Sequence, residues 1–224
     1  MNLSKRFVIA AILLASQCCF AETVNENVSQ SILRLSGMTG TAYQVIDFVQ
    51  SEITKVSLSD SALRGLNKSL RAWHPARIEN QWLAILDRYS VAERQQLLET
   101  LQHPLLARQR DLEQACLESA STCVATEIPS IERSTYIIAL DEAMQFSHWL
   151  TEARGASYTM LLNDLELWKP PQQWRQSIRV QSTNFLDNST RSLSLDDLRE
   201  LIRLWSLPIM QRWLSEAQAA LPAR

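Results

Sequence analysis

The residue types that carry most enzyme chemistry are sparse in this sequence. Its three histidines, His74, His103 and His148, lie far apart and form no H-E-x-x-H motif or other spacing typical of metal ligands. Residues 22–224 contain neither a G-x-S-x-G nor an S-x-x-K nucleophile motif. The sequence therefore predicts no catalytic residue, no metal site and no cofactor.

The seven tryptophans include the best candidates for binding residues. Trp168 and Trp174 flank the turn Lys169-Pro170-Pro171, and exposed tryptophans bind glycans or peptides by stacking and by burying area. His148, next to Trp149, is a further candidate for lining a pocket. Each candidate has a simpler alternative, which is core packing for the tryptophans and a helix surface for His148.

Pairs of carboxylates, which acid–base catalysis requires, also have structural interpretations here. Asp196 and Asp197 are expected at a helix N-terminus, where acidic side chains are favoured. The pair at 141–142 is interpreted as a solvated helix face, and Asp164 with Glu166 has no fixed partner in the pattern.

The N-terminus predicts export. Lys5 and Arg6 precede a short apolar run over residues 7–15, and Cys19 and Ala21 are the small residues of a cleavage site. This is the pattern of a secretory signal peptide, and the run is shorter than the roughly 20 residues of a membrane span. We expect cleavage after Ala21 and a periplasmic protein. A lipoprotein, acylated at a cysteine of this segment, is the alternative.

Two cysteines, Cys116 and Cys123, remain after the signal peptide is removed. Such a pair usually forms a disulfide in an oxidising compartment. On a continuous helix their Cα atoms would be about 10.5 Å apart, which is more than a disulfide can bridge. We therefore predict a structural disulfide, with a helix that ends between the two residues. The redox-active alternative prefers C-x-x-C, which is absent.

Charge and composition argue against several classes of protein. Residues 22–224 hold 20 of the 22 Lys and Arg residues and all 24 acidic residues, a net charge of 20 − 24 = −4, which does not predict nucleic-acid binding. No second apolar segment approaches membrane length, so we expect no transmembrane segment in the mature chain. Four glycines in the whole chain argue against a P-loop, a Rossmann unit, an α/β-hydrolase and a β-sandwich.

Apolar residues recur at helical period over nearly all of residues 22–224, so we predict an all-α multi-helix bundle. The expected boundaries are serine caps such as Ser90, a helix-starting proline at Pro75, and an interruption at Pro104. From Pro129 the pattern predicts one long helix that ends near Gly155, with a shorter helix after it.

We divide the chain into a signal peptide (1–21), an N-terminal helical half (22–118), a linker (119–128) and a C-terminal helical half (129–224). The halves are expected to be related, because an offset of 104 aligns a cap, an apolar face, a proline and an arginine. The aligned pairs are Ser90/Ser194, Glu93/Asp197, Leu97/Leu201, Leu98/Ile202, Pro104/Pro208, Leu105/Ile209 and Arg108/Arg212. We predict that residues 88–115 and 192–219 are an internal repeat with one helix–proline–helix shape.

The segment from Ser194 to Arg212 resembles the closing signature of domain-of-unknown-function family 2059, a group of small exported bacterial helical proteins. The matching residues are Trp205, Pro208, Ile209, Gln211 and Arg212. Leu207 and Met210 stand where the family has Ser and Gly. The segment from Tyr89 to Arg108 looks like a second, more degenerate copy. The resemblance implies a helical fold and a bacterial, exported location, and it implies no particular chemistry.

Three functions remain open from the sequence. The first is a non-enzymatic interaction or accessory protein that binds another protein or a component of the cell envelope. The second is a small-molecule or glycan-binding module that uses Trp168 and Trp174. The third is a hydrolase whose site the sequence does not reveal.

Overall fold

The computed structural model describes residues 27–55, 59–119, 123, 128–165 and 168–222. These residues form eleven α-helices and no β-strand, so the predicted all-α bundle is confirmed. The helices are α1 (Val28–Ser36), α2 (Gly40–Ile53), α3 (Asp60–Ala72), α4 (Pro75–Leu86), α5 (Val91–Leu101), α6 (Pro104–Glu118), α7 (Ile131–Met144), α8 (Phe146–Asp164), α9 (Trp174–Ser189), α10 (Leu195–Trp205) and α11 (Pro208–Ala219). The expected signal peptide and most of the expected linker lie outside the described residues.

Local sequence signals set most of the helix ends. The Ser90 hydroxyl accepts the Glu93 N–H while the Glu93 side chain accepts the Ser90 N–H, and Ser194 and Asp197 form the same capping box. A reciprocal cap of this kind satisfies two backbone donors that a helix start otherwise leaves unpaired. A glycine marks a helix end elsewhere in the chain. Gly37, just after α1, takes a left-handed conformation (φ 70°) and ends that helix.

Three pairs of helices are joined in the same way, by two residues followed by a proline. The breaks separate α3 from α4, α5 from α6, and α10 from α11, and a proline is the first residue of the second helix each time. Proline is well suited to this position because its missing N–H would have no partner there. The segments from Ser90 and from Ser194 both have the cap, the helix and the break at matching positions. The common origin of the two segments remains a prediction.

The predicted helix from Pro129 to Gly155 is wrong in its extent. The helix is interrupted at Gln145, whose backbone is left-handed (φ 53°), and the segment therefore forms two helices, α7 and α8. Gly155 lies buried inside α8 and does not end it. One glycine costs a helix only about 1 kcal/mol relative to alanine, and α8 packs against α2, α3, α7 and α9.

Asp141 explains the start of α8 and corrects a second expectation. The pair at 141–142 was expected to be solvated, but Asp141 is only 3% exposed. Its carboxylate accepts hydrogen bonds from the N–H of Ser147, at 2.9 Å, and from the Ser147 hydroxyl, at 2.6 Å. Burial raises the pKa of Asp141, and the two bonds from Ser147 oppose that rise. The carboxylate therefore caps the first turn of α8.

The core is one continuous apolar cluster to which nearly every helix contributes. Trp82 and Trp213 are its largest fully buried side chains, and the Trp82 indole N–H donates to the Ala217 carbonyl at 2.8 Å. In the part of the chain that the structure describes, no helix is both long and apolar enough to cross a bilayer.

Candidate functional site

The structure brings the predicted binding residues Trp168 and Trp174 together. Both rings pack against Tyr158, with centroid distances of 5.2 and 4.8 Å. Phe48 extends the group, with its ring 5.5 Å from Tyr158, and the Arg154 guanidinium lies 3.7 Å above the Phe48 ring. Both tryptophans are half-buried, so they form an aromatic cluster between α2, α8 and α9 whose rings mainly contact one another.

The indole N–H of Trp168 already has a hydrogen-bond acceptor beside this cluster. It donates to the Glu52 carboxylate at 3.1 Å, and Arg175 lies 4.4 Å from the ring of Trp174. Burial raises the pKa of Glu52, but hydrogen bonds from Lys55 and Trp168 together with the charges of Lys55 and Arg154 bring it below its usual value. These contacts hold Trp168 against α2.

His148 is exposed on α8, whereas its neighbour Trp149 is buried. The Trp149 ring packs edge-on against Trp82, with centroids 6.2 Å apart. The structure therefore places Trp149, and not His148, in the interior.

The residues that carry the family resemblance hold helix ends together. Gln211 donates from its side-chain amide to the carbonyls of Ala143 and Trp205, both at 2.7 Å, and accepts from Gln145 at 3.0 Å. Carbonyls in the last turn of a helix have no partner within the helix. Gln211 thus ties the ends of α7 and α10 to α11, while Pro208 starts α11.

Arg212 links α11 to α5. Its guanidinium donates to Glu93 at 2.6 Å and to Glu216 at 2.8 Å, and it lies 4.1 Å from the Tyr89 ring centroid. Burial raises the pKa of Tyr89 to about 12. These contacts give Arg212 a structural role at the start of α5.

We expect Gln211→Leu to lower the free energy of unfolding by about 1–2 kcal/mol, because two partly buried carbonyls lose their donor. Gln218→Leu, also on α11, is the matched control, since no side-chain hydrogen bond of Gln218 occurs in the described region. Urea titration of both variants measures the difference. Equal stability of the two variants would contradict the role of Gln211.

The two cysteines are paired as predicted. The Cα atoms of Cys116 and Cys123 are 4.9 Å apart, within the range for a disulfide. α6 ends at Glu118, between the two cysteines. The disulfide therefore restrains the last turn of the helix that carries the polar residues described next.

An interhelical cavity of about 100 Å³ lies between the two halves of the chain. Its apolar lining comes from helices of both halves, as Leu35, Met38, Met144, Phe146, Trp149, Leu150, Phe185, Trp205 and Leu214. Gln109, Arg110 and Glu113 of α6 add polar groups, and Gln44 of α2 adds another. A largely apolar cavity with a few convergent polar groups is the usual form of a small-molecule site.

A short chain of hydrogen bonds crosses the wall of the cavity. The indole N–H of Trp205 donates to the Gln109 side-chain carbonyl at 3.0 Å. The Gln109 amide donates to a Glu113 carboxyl oxygen at 2.7 Å and lies 3.2 Å from the Met144 sulfur. Trp205, which belongs to the resembling signature, therefore orients the amide that holds Glu113.

Glu113 is 7% exposed and is the acidic residue of this cavity. Burial raises the pKa of Glu113 to about 7, against smaller opposing effects of the Gln109 amide and of Arg110. Removing a carboxylate from water disfavours its charged form. Burial therefore favours the neutral acid over the buried anion up to about neutral pH.

Two hydrogen-bond donors on the lining residues have no acceptor among the described atoms. They are the amide nitrogen of Gln44, a side chain with 9% exposure, and the indole nitrogen of Trp149. A buried donor without a partner costs about 1–3 kcal/mol. The residues that line the cavity thus include a carboxyl group and two buried N–H donors without acceptors, and these nitrogens become available to a ligand only if their side chains turn.

Sequence reasoning missed this site, although one signal for it was present. Gln109 and Glu113 interrupt the buried stripe of α6, where Leu106 and Cys116 are apolar. The offset of 104 aligns Gln109 with Trp213 and Glu113 with Ala217, which are both buried and apolar. The offset therefore marks two polar residues at positions whose counterparts in the second segment are buried and apolar.

The chain matches no protein-family model, no curated protein and no solved structure. Among the residues with described positions, no group of three or more His, Cys, Asp or Glu side chains could hold a metal ion.

Proposed function

We propose that this protein is a non-enzymatic binding protein of the bacterial cell envelope, and that the interhelical cavity is its ligand site. The observation that carries the proposal is the Glu113 carboxyl, held in the wall of an apolar cavity beside unpaired donors. A stability-driven core would place apolar groups there, because an unpaired buried polar group costs free energy. A ligand that pairs with these groups accounts for their presence.

Binding without turnover fits the chemistry of the cavity better than hydrolysis does. Hydrolysis by a paired acid and base needs two such groups on either side of the reacting bond, and nucleophilic catalysis needs a nucleophile beside a base. The lining residues within the described ranges supply one carboxyl group and no histidine or cysteine. The hydroxyl groups in the lining belong to Ser36 and Thr41, and that of Ser36 donates to the Leu33 carbonyl at 2.9 Å.

The internal repeat is a second part of the proposal, and helix packing supports extending it beyond the two matched segments. α1 packs on α5 and α4 as α7 packs on α10 and α9, and α11 packs on α5 as α6 packs on α10. An offset of 104 places α1 on α7, most of α4 on α9, and α5 with α6 on α10 with α11. A duplicated unit that packs against its own copy produces such reciprocal contacts.

The charged contacts of the two segments also correspond at the offset of 104. Arg212 pairs with Glu93, the third residue of α5. At the corresponding place in the other half, the Ser194 hydrogen bonds, with a smaller effect of Arg108, hold the pKa of Asp197 below its usual value. Duplication followed by divergence explains why one half has Trp213 and Ala217 where the other has the polar pair of the cavity.

Location remains part of the proposal. The charged start, the short apolar run and the small residues before Glu22 support export with cleavage after Ala21. The signature around Trp205 supports membership of family 2059, and the Cys116–Cys123 pair is compatible with an oxidising compartment. The mass of the protein recovered from the periplasm tests the cleavage site directly.

We expect the purified protein to bind neutral single-ring compounds such as benzyl alcohol, and Leu35→Trp to weaken that binding at least tenfold. Leu35 lines the cavity, so a larger ring there occupies the space of the ligand. The matched control is Leu162→Trp, because Leu162 is 48% exposed and lies away from the cavity. Saturation-transfer NMR measures the binding of each variant.

Three results would contradict this proposal. Wild-type protein that binds no member of a set of single-ring probes would remove the ligand site. Equal binding by wild type, Leu35→Trp and Leu162→Trp would place the ligand elsewhere. Hydrolysis of ester or peptide substrates that Glu113→Gln abolishes would restore the enzyme hypothesis.

A further inference from the structure

We infer that the ligand of the interhelical cavity is a small apolar carboxylate, with its head group between Arg110 and Glu113 and its apolar part against the aromatic lining. This inference rests on the binding role proposed above. It adds the chemical class of the ligand, which follows from the charges, the donors and the size of the cavity.

The first argument is charge. Arg110 and Glu113 are the charged residues among those that line the cavity. Burial favours the neutral form of Glu113, whereas an arginine stays charged in proteins even when, as for Arg110, burial lowers its pKa. The cavity is therefore net positive at and below neutral pH, which favours an anion over an ammonium group.

The groups around this pair do not reverse that sign. Arg110 is the charged residue that acts on Glu113, and it does so from the same helix. The charge of Asp111 raises the pKa of Arg110, and the charge of Arg34 lowers it. The helices that pack over α6 present Phe185 and Trp205 to the cavity, and these side chains do not titrate.

The second argument is the supply of donors. One N–H of the Arg110 guanidinium donates to the Leu101 carbonyl at 2.9 Å, and arginine has five such donors in all. The Gln44 amide nitrogen has no acceptor within the described chain, and the terminal torsion of a glutamine is broad enough for the amide to turn. A neutral Glu113 adds an O–H donor, and a carboxylate accepts all three kinds.

The third argument is size. The cavity measures about 100 Å³, and an apolar cavity of about 150 Å³ in another protein binds benzene. The cavity is smaller than that one, so the apolar part of the ligand is no larger than one ring or a short branched chain. Four aromatic side chains, Phe146, Trp149, Phe185 and Trp205, surround its apolar part.

Benzoate, benzamide and benzylammonium test the head group, because they share one ring and differ in charge. We expect benzoate to bind about tenfold more tightly than benzamide at pH 6, as one charge-assisted contact would give. Its affinity should fall roughly fivefold from pH 7 to pH 8, because binding then requires uptake of one proton by Glu113, which is about half protonated at pH 7. Isothermal titration calorimetry in buffers of different ionisation enthalpy measures both the affinity and the proton uptake.

Two variants separate the roles of the charged residues. Glu113→Gln should bind benzoate with no pH dependence between pH 6 and 8 and with no proton uptake. Arg110→Met should lose the preference for benzoate but keep the affinity for benzamide, which also shows that the cavity is intact.

The outcomes distinguish this inference from the proposed function. Equal or tighter binding of benzamide or benzylammonium that Leu35→Trp abolishes would overturn the carboxylate class and keep the ligand site. Benzoate binding that is insensitive to both Arg110→Met and Glu113→Gln would also overturn it. Failure of all three compounds to bind at any pH would remove the site and the inference together.

Discussion

Arg133→Ala is expected to lower the free energy of unfolding by about 3 kcal/mol, since it leaves a buried carboxylate without its cation. Arg133 and Asp187 are only 15% and 10% exposed, and the guanidinium donates to the Asp187 carboxylate at 2.7 Å. It also donates to the carbonyls of Leu193 and Asp187 and to the Thr190 hydroxyl, at 3.2–3.3 Å. One side chain thus ties α7 to the turn between α9 and α10.

Arg203→Ala is the matched control, because Arg203 also pairs with a carboxylate, Glu200, at 2.6 Å but is exposed. Solvent screens exposed ion pairs, and most of them contribute little to stability. Urea unfolding followed by tryptophan fluorescence compares the two losses. If Arg133→Ala costs no more than Arg203→Ala, the buried pair does not stabilise the junction. Arg133→Lys, which keeps the charge but not the fork of donors, should fall between them.

The second large effect concerns Glu113→Gln, which should stabilise the protein by about 3 kcal/mol at pH 8 and leave its stability nearly unchanged at pH 4. Burial raises the pKa of Glu113 from its ordinary value of 4.5 to about 7. Between these values the unfolded chain releases the proton and the folded protein keeps it. The stability that the neutral group contributes is present below pH 4.5 and is lost as the pH rises to 7.

Glutamine cannot ionise, and its carbonyl can still accept the Gln109 amide. Urea unfolding of both proteins from pH 4 to pH 8 should give curves that diverge above pH 4.5 and run parallel above pH 7. Glu93→Gln is a control of opposite sign. The Ser90 hydrogen bonds hold the pKa of Glu93 low, so the stability it contributes is present above pH 4.5 and is lost as the pH falls. If the stability curves of Glu113→Gln and wild type stay parallel over the whole range from pH 4 to pH 8, Glu113 is not buried as described.

The cavity requires a balance between stability and binding. A buried carboxyl that ionises near neutral pH destabilises the folded chain, and a core residue such as alanine would avoid that cost, as Ala217 does at the aligned position. Natural proteins break local rules of this kind mainly at functional sites. The prediction that Glu113→Gln stabilises the protein while removing proton-linked binding therefore tests both properties in one variant.

The sequence by itself determined the helical class and many helix boundaries. Helix boundaries are set locally by capping serines, by the glycine that ends α1 and by three prolines. These residues act through the backbone within one or two turns, so their effects can be predicted without knowing the neighbouring helices. The same holds for the end of α6 between Cys116 and Cys123, because disulfide geometry excludes a continuous helix over that spacing.

Only the tertiary structure decided where polar groups are buried. The break at Gln145 depends on Asp141 reaching Ser147 and on Gln211 of a distant helix, and no local pattern announces either contact. The cavity is built by helices that are far apart in sequence, and Glu113 lies in it because its neighbours from other helices exclude water. Periodicity identifies which face of a helix is buried, but it does not show which other side chains meet that face.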